Sequence, residues 1–178
     1  ELGDPKYKGK FVMANPALSG SAYNQLATFV QLYGWYLVED IVANAVIVPK
    51  SRLAYSFVAK GEYPFGVTEE TKAYVVAAKG FPTVSIYPTD GMPMMGAGTG
   101  IIKNAPNMKN AELLATFIGS NEGLDIVVNV RGRRVPRTDV KQPDGLPPIS
   151  TLKVLYDFDL VKAAASRKAY LKKFDKIF

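Results

Sequence analysis

The 178-residue chain is 48% hydrophobic and 21% charged, carries a formal net charge of +6 with a pI near 9.4, and contains neither cysteine nor histidine. That composition excludes cysteine nucleophiles, serine–histidine dyads, disulfides and the usual zinc sites. No apolar run approaches the ~20 residues of a membrane-spanning helix, and the length suits one buried core or one and part of another.

The basic balance brings nucleic acid or an anionic surface into consideration. The charge is mostly dispersed, however, and its one dense cluster is Arg131-Gly132-Arg133-Arg134. Tyr and Phe mostly fall at core periodicity rather than between basic residues, so no stacking platform is built and nucleic acid is not an expected partner, a basic nucleic-acid-binding domain using Arg131–Arg134 being the alternative from another class. Lys162, Lys168, Lys172, Lys173 and Lys176 read as the solvated face of a final helix. The opening Glu1-Leu2-Gly3-Asp4-Pro5 has neither Met nor a charged-then-apolar leader, and it reads as the start of a processed or excised piece.

Asp4 to Lys10 reads as a turn entering a strand at Phe11-Val12-Met13-Ala14. Small residues follow, Asn15-Pro16-Ala17-Leu18-Ser19-Gly20-Ser21-Ala22-Tyr23. A helical pattern then places Leu26, Phe29, Val30 and Tyr33 at i, i+3, i+4, i+7. Gly34 ends this helix and Trp35 to Asp40 forms a short second one. Ala45 to Val48 is a buried strand, and Ser51 caps a helix from Arg52 to Lys60 whose apolar face carries Leu53, Phe57 and Val58. Tyr63 to Val67 is a strand leading into Thr68-Glu69-Glu70-Thr71, with a helix continuing through Lys79. Thr83 to Tyr87 is another strand, turned by Pro88-Thr89-Asp90-Gly91. Ile101-Ile102-Lys103 is a short strand. Helical patterns follow at 110–118 and 121–130, then a proline-punctuated connector from Pro136 to Pro148. A last helix begins near Asp157 or Asp159, with Leu160, Val161, Ala164, Leu171 and Phe174 as its apolar positions. Alternating strands and helices predict an α/β layer with a largely parallel sheet, helices on its faces and ligands at the strand C-termini.

The turn at Ser19-Gly20-Ser21 carries the main chemical signal. Ser19 or Ser21 can cap the helix, and Gly20 allows close approach to the backbone. The first turn from Ser21 to Gln25 holds no carboxylate to neutralise the positive helix pole. This suits a phosphate, phosphonate or carboxylate, against the plainer reading of a capped helix with no ligand. Arg52 can offer a bidentate contact to such an anion or simply be solvated. Glu69 and Glu70 can accept hydrogen bonds from hydroxyls or an amine, or merely complement the N-terminus of a helix capped by Thr68. As sequence neighbours they do not supply the separation that paired catalytic carboxylates need, so no catalytic residue, cofactor or metal is assigned. Met92, Met94 and Met95 suit a soft metal on thioether chemistry alone, with core filling as the plainer account.

Taken together, the order of motifs resembles the C-terminal half of a periplasmic solute-binding protein of an ABC importer. The group concerned includes ferric-iron, aminoethylphosphonate and hexose-phosphate binders. The matching stretches are 4–10, 15–23, Gln25-Leu26-Ala27-Thr28, Gln31-Leu32-Tyr33-Gly34-Trp35 and Gly61-Glu62-Tyr63 with Gly66-Val67-Thr68. Later matches are Ile86-Tyr87-Pro88, Ser120-Asn121-Glu122-Gly123 and Gly145-Leu146-Pro147-Pro148.

The resemblance implies a type II periplasmic-binding-protein-like lobe from which the first lobe is mostly absent. Residues 1–91 and 134–178 would form the ligand-binding lobe. Residues 92–133 would cross over to pack on the missing N-terminal lobe or on another copy of the chain. It implies a periplasmic location, or a lipid-anchored extracellular one in a cell without an outer membrane, and an ABC permease in the inner membrane as partner. Ligand contacts map onto Ser19, Gly20, Ser21 and Ala22, more loosely onto Ser51 and Arg52, and onto Thr68, Glu69 and Glu70. The favoured solute is a phosphorylated sugar or an organophosphonate. Ferric iron is the alternative, weakened because the adjacent tyrosine pair on which the ferric members rely is missing: no Tyr-Tyr dipeptide occurs in this sequence.

Overall fold

A computed structural model describes residues 1–178. The chain forms two compact units, Glu1–Pro93 with Leu152–Phe178, and Met94–Thr151. The span 92–133, expected to cross over, therefore lies in the second unit apart from Met92 and Pro93, and residues 134–151 fold with it.

The first unit is built on a parallel sheet of three strands, β1 (Phe11–Ala14), β2 (Ala45–Val48) and β3 (Phe65–Val67), in the order β2-β1-β3. All four residues of β1 are buried, as a central strand covered on both faces requires. The register aligns Ala14 with Val48 and Met13 with Val67, so the C-terminal ends of all three strands share one edge. A helix follows each strand: α1 (Gly20–Asn44), α2 (Ser51–Ala59) and α3 (Glu70–Ala78).

α1 consists of two helical stretches separated at Gly34, whose φ of 74° and ψ of −177° only glycine adopts readily. Its second stretch runs on to Asn44 rather than stopping near Asp40. The buried Asn44 explains the clean hand-over to β2. Its Nδ2 donates to the carbonyls of Leu2 and Asp4 at 3.1 and 3.0 Å, tying the N-terminal turn to the helix end. β1 and β3 are clamped by Phe11 stacked on Phe65, with Tyr7 edge-on to the same ring. Val12, Val48 and the buried Ala54 form the contact between sheet and α2, joined by Leu53, Phe57 and Val58.

The last helix, α6 (Leu160–Ile177), packs on α1 through Ala163 and Phe174, which meet Tyr23, Leu26, Ala27, Val38 and Val42. The predicted apolar stripe of this helix needs correction. Leu171 and Phe174 do face inward, but Leu160, Val161 and Ala164 are exposed, and the rest of the inward face is Ala163, Tyr170 and Ile177. The Tyr23 hydroxyl donates to the Ala163 carbonyl. Gln31 exchanges two hydrogen bonds with the backbone of Asp159, the residue that caps α6. Nor is Lys173 simply solvated: it lies over the Trp35 ring and pairs with Glu39 at 3.4 Å.

Two predicted strands are absent. Thr83 to Tyr87 has no regular secondary structure and no ladder partner, because the sheet ends at β2 and β3. Its alternation survives in the burial: Thr83, Ser85 and Tyr87 are half-buried, while Val84 and Ile86 are exposed. Ile101 to Lys103 is also irregular, with Ile102 accepting a turn hydrogen bond from Ala105. Where the chain leaves and re-enters the first unit, Met92 bridges Val154, donating to the Lys153 carbonyl and accepting from Leu155 N–H.

In the second unit, α4 (Met108–Gly119) and α5 (Asn121–Arg131) meet at Ser120. Its hydroxyl accepts from Gly123 N–H at 3.1 Å and donates to the Phe117 carbonyl at 2.7 Å, closing the corner. Gly132, left-handed at φ 57°, ends α5. Asp139 accepts a two-pronged bond from Arg137 and a third from Asn121, and these donors hold its carboxyl well below the usual carboxylate range. Leu113, Leu114, Ile126 and Val130 are exposed, an apolar surface on both helices. No helix is long and apolar enough to cross a membrane.

Candidate functional site

Parallel strands deliver their following loops to one edge, so the N-termini of α1, α2 and α3 face the same side of the sheet. Every residue mapped as a ligand contact lies in these three loops or the first helical turn after them. The edge therefore assembles Ser19–Ala22, Ser51–Arg52 and Thr68–Glu70 from segments up to fifty residues apart.

The α1 terminus is the most elaborate. Asn15 Oδ1 accepts from Ala17 N–H at 2.8 Å, and Asn15 N–H donates to the last residue of β2 at 2.8 Å, which fixes the loop. Ser19 is the N-cap, its Oγ accepting from Ala22 N–H at 3.3 Å, and it lies 3.1 Å from Ser21 Oγ. The N–H groups of Gly20 and Ser21 have no intrahelical acceptor. A Cβ on Gly20 would meet nothing within 4 Å, so space exists over the backbone there. Ser19 and Ser21 are half-buried, Gly20 is exposed and Ala22 is buried, its N–H given to Ser19 Oγ. No acidic residue stands in the first turn. Two hydroxyls and two backbone donors at a positive helix pole can hold an anion.

The other two termini differ from the sequence expectation in their caps. Lys50, not Ser51, is the N-cap of α2, and Ser51 is its first helical residue. The three-residue step from Val48 leaves no room for a longer loop. Ser51 is half-buried and Arg52 exposed, again with no acid in the first turn. In α3 the N-cap is Glu69 rather than Thr68, and neither side chain closes the cap. Glu69 pairs with Lys72 at 3.1 Å, one helical turn on. Glu70 Oε1 accepts from the Tyr87 hydroxyl at 2.7 Å. The adjacent glutamates thus have different partners: Glu69 pairs along α3, and Glu70 accepts from the irregular 83–87 segment.

Tyr87 is the residue that the sequence reading passed over. The available signal was the inward alternation of Thr83, Ser85 and Tyr87. The arginine cluster is divided: Arg134 donates to the Pro147 carbonyl at 2.7 Å, bracing the connector, while Arg131 ends α5 exposed.

With this geometry in view, comparison with known proteins gives one family. The family model described as bacterial extracellular solute-binding protein matches residues 1–129. The chain belongs to this family. A protein of Haemophilus influenzae is 30% identical over 188 aligned positions, which take in 97% of this chain and 52% of that protein. Among solved structures, the periplasmic binding protein AfuA of Actinobacillus pleuropneumoniae, with fructose 6-phosphate bound, superimposes with a TM-score of 0.86 at 28% identity, over 97% of this chain and 57% of its own. Iron-bound HitA of Pseudomonas aeruginosa matches at a TM-score of 0.72 and 21% identity, over 95% of this chain and 59% of its own, a likeness of fold. The fold is thus the α/β lobe of type II periplasmic binding proteins. The chain spans about half the length of the relatives it matches.

Proposed function

We propose that this solute-binding protein captures a small anionic solute, with a phosphorylated sugar or organophosphonate ahead of ferric iron, and presents it to an ABC permease. The observation that carries this reading is the α1 terminus: two hydroxyls 3.1 Å apart and free helical N–H groups beneath an open glycine, with no acid in that turn. The likeness to a structure holding fructose 6-phosphate supports a phosphate ester in particular. In this account Ser19, Gly20, Ser21 and Ala22 hold the anionic group, Ser51 and Arg52 lie beside it, and Thr68, Glu69 and Glu70 read hydroxyls or an amine.

Capture is by closure of two lobes, this chain contributing one. Residues 92–133 pack on the N-terminal lobe or on another copy, and the exposed apolar residues of α4 and α5 supply a surface for that contact. The expected location is periplasmic, or extracellular and lipid-anchored.

Calorimetric titration of the full-length protein with fructose 6-phosphate, aminoethylphosphonate, inorganic phosphate and chelated ferric iron tests the choice of solute. Tight binding of a phosphate ester or phosphonate is expected. Tight ferric binding without organophosphate heat would overturn the solute class. Salt-sensitive binding to polynucleotide, with no small-solute heat, would favour a nucleic-acid role through Arg131–Arg134.

A further inference from the structure

We propose that the outward face of α6 docks this protein on an anionic phospholipid surface; the inference stands apart from the solute reading above. Helix α6 carries six basic residues, Lys162, Arg167, Lys168, Lys172, Lys173 and Lys176, and one acid, Asp175. Its inward face is fixed by the buried Ala163 and Phe174. At about 100° per residue the opposite side holds Val161, Ala165, Lys168, Lys172 and Lys176. All five are exposed. The three lysines span about 12 Å of helix. Lys162, Lys168, Lys172 and Lys176 form no ion pair, whereas Lys60, Lys72 and Lys141 each lie within 4.0 Å of a carboxylate. Asp157 and Asp159 precede the helix, and Asp159 is engaged as its cap. Asp175 offsets one charge, and the rest of the stripe is not neutralised by the chain.

The side chains select the partner. Lysine is a compact, hydrated point charge on a flexible stem, whereas arginine presents a planar fork suited to a fixed carboxylate. The one arginine of α6 is turned to the Tyr23 ring, 4.5 Å from its centroid, so the outward stripe is lysine alone. Ala164, Ala165 and Ala169 lie between the lysines, and nothing bulky holds the ammonium groups off a flat surface. Their stems can lie along that surface while the charges reach its phosphates. A layer of lipid head groups meets such a stripe without the matched geometry that protein carboxylates require. Val161, 80% exposed at the head of the stripe, adds a small apolar contact at head-group level. Each lysine close to a negatively charged bilayer adds about fivefold to partitioning, an effect that salt screens.

The test is co-sedimentation of the full-length protein with vesicles of phosphatidylglycerol and phosphatidylethanolamine, and with phosphatidylcholine vesicles, at low and high salt. Wild type should partition onto the phosphatidylglycerol vesicles at low salt, leave them at high salt and ignore phosphatidylcholine. The triple variant Lys168→Gln, Lys172→Gln, Lys176→Gln should lower that partitioning roughly a hundredfold, the product of three fivefold contributions. A control of equal charge change on exposed lysines elsewhere, Lys8→Gln, Lys10→Gln, Lys79→Gln, should lower it less than about fivefold. No partitioning of wild type, or equal losses in the two triple variants, would overturn the proposal. So would tighter binding to polyglutamate or to polynucleotide than to the vesicles at the same salt, which would give the stripe to an acidic protein or to nucleic acid. Should the α6 triple variant not fold, Lys172→Gln alone decides: a roughly fivefold loss supports the proposal and no loss overturns it. No probe contains a solute, so none of these outcomes bears on the α1 cradle.

Discussion

The hydroxyls of Ser19 and Ser21 lie 3.1 Å apart across the glycine that opens α1. One of them already caps the helix, accepting from Ala22 N–H. The pair therefore serves stability and the candidate site at once, and substitutions can separate the two. Ser19→Ala should lower stability by about 1 kcal/mol through the lost cap, and also weaken anion binding. Ser21→Asp should do the opposite to stability, adding about 0.3–1 kcal/mol by placing a carboxylate at the positive helix end, while abolishing phosphate-ester binding. Urea unfolding and calorimetry on the same variants read both effects. A Ser21→Asp protein that is more stable and still binds would remove the cradle from the account.

Gly34 tests the kink. A Cβ there would touch nothing, so crowding is not the issue. The backbone conformation is, at φ 74° and ψ −177°. Gly34→Ala should destabilise by about 1–3 kcal/mol, the cost of a non-glycine residue in that region. Were the backbone free to relax into a continuous helix, the same change would stabilise by about 0.4–1 kcal/mol. The sign of the shift in denaturant midpoint decides between them.

The hydrogen bond from Tyr33 to Asp90 predicts a pH dependence at both ends of the scale. Bonding to Asp90, and to a lesser degree burial, pushes the Tyr33 phenol up to about 12 from an ordinary value of 10.0. Folding thus favours the protonated phenol: its contribution is complete below pH 10 and is lost as pH rises toward 12. The same bond holds Asp90 below its ordinary 3.8, so the carboxylate's contribution is present above that value and lost as pH falls through the lowered pKa. A tyrosinate absorbance titration should show, beside the Tyr23 phenol that burial also raises, a late-titrating phenol that Tyr33→Phe removes and Asp90→Ala returns toward 10. Identical curves for wild type and Tyr33→Phe in that range would contradict the assignment.

Gly123 probes the corner of the second unit. A Cβ at this position would sit 2.1 Å from the Phe117 carbonyl oxygen, which is backbone and cannot swing away. Gly123→Ala should therefore force α4 and α5 apart, costing at least the ~1–3 kcal/mol typical of overpacking. Limited proteolysis between 94 and 151 should quicken while the first unit keeps its unfolding transition. Unchanged proteolysis would contradict the predicted clash.

Much of the first unit was legible because its signals are local. Phe11–Ala14 and Ala45–Val48 are short apolar runs bounded by turn residues, and Ser19 marks a helix start. The parallel order follows from helices placed between strands. What failed depended on distant partners. Thr83 to Tyr87 has strand composition but no neighbour to bond to, and α6 buries the predicted Leu171 and Phe174 against the α1 core while turning Leu160 and Val161 outward. The caps at Lys50 and Glu69 shifted by one residue because a helix start is set by how short a loop the sheet allows. The site's position at the strand ends was readable; the link from Tyr87 to Glu70 was not, since it joins residues seventeen apart through a segment with no regular structure.

The most direct test of the central claim is a crystal structure of the full-length protein with fructose 6-phosphate. The account predicts the phosphoryl group at the start of α1, within hydrogen-bond distance of the Ser19 and Ser21 hydroxyls and the N–H groups of Gly20 and Ser21. A phosphoryl group bound elsewhere, with that turn left to solvent, would contradict it.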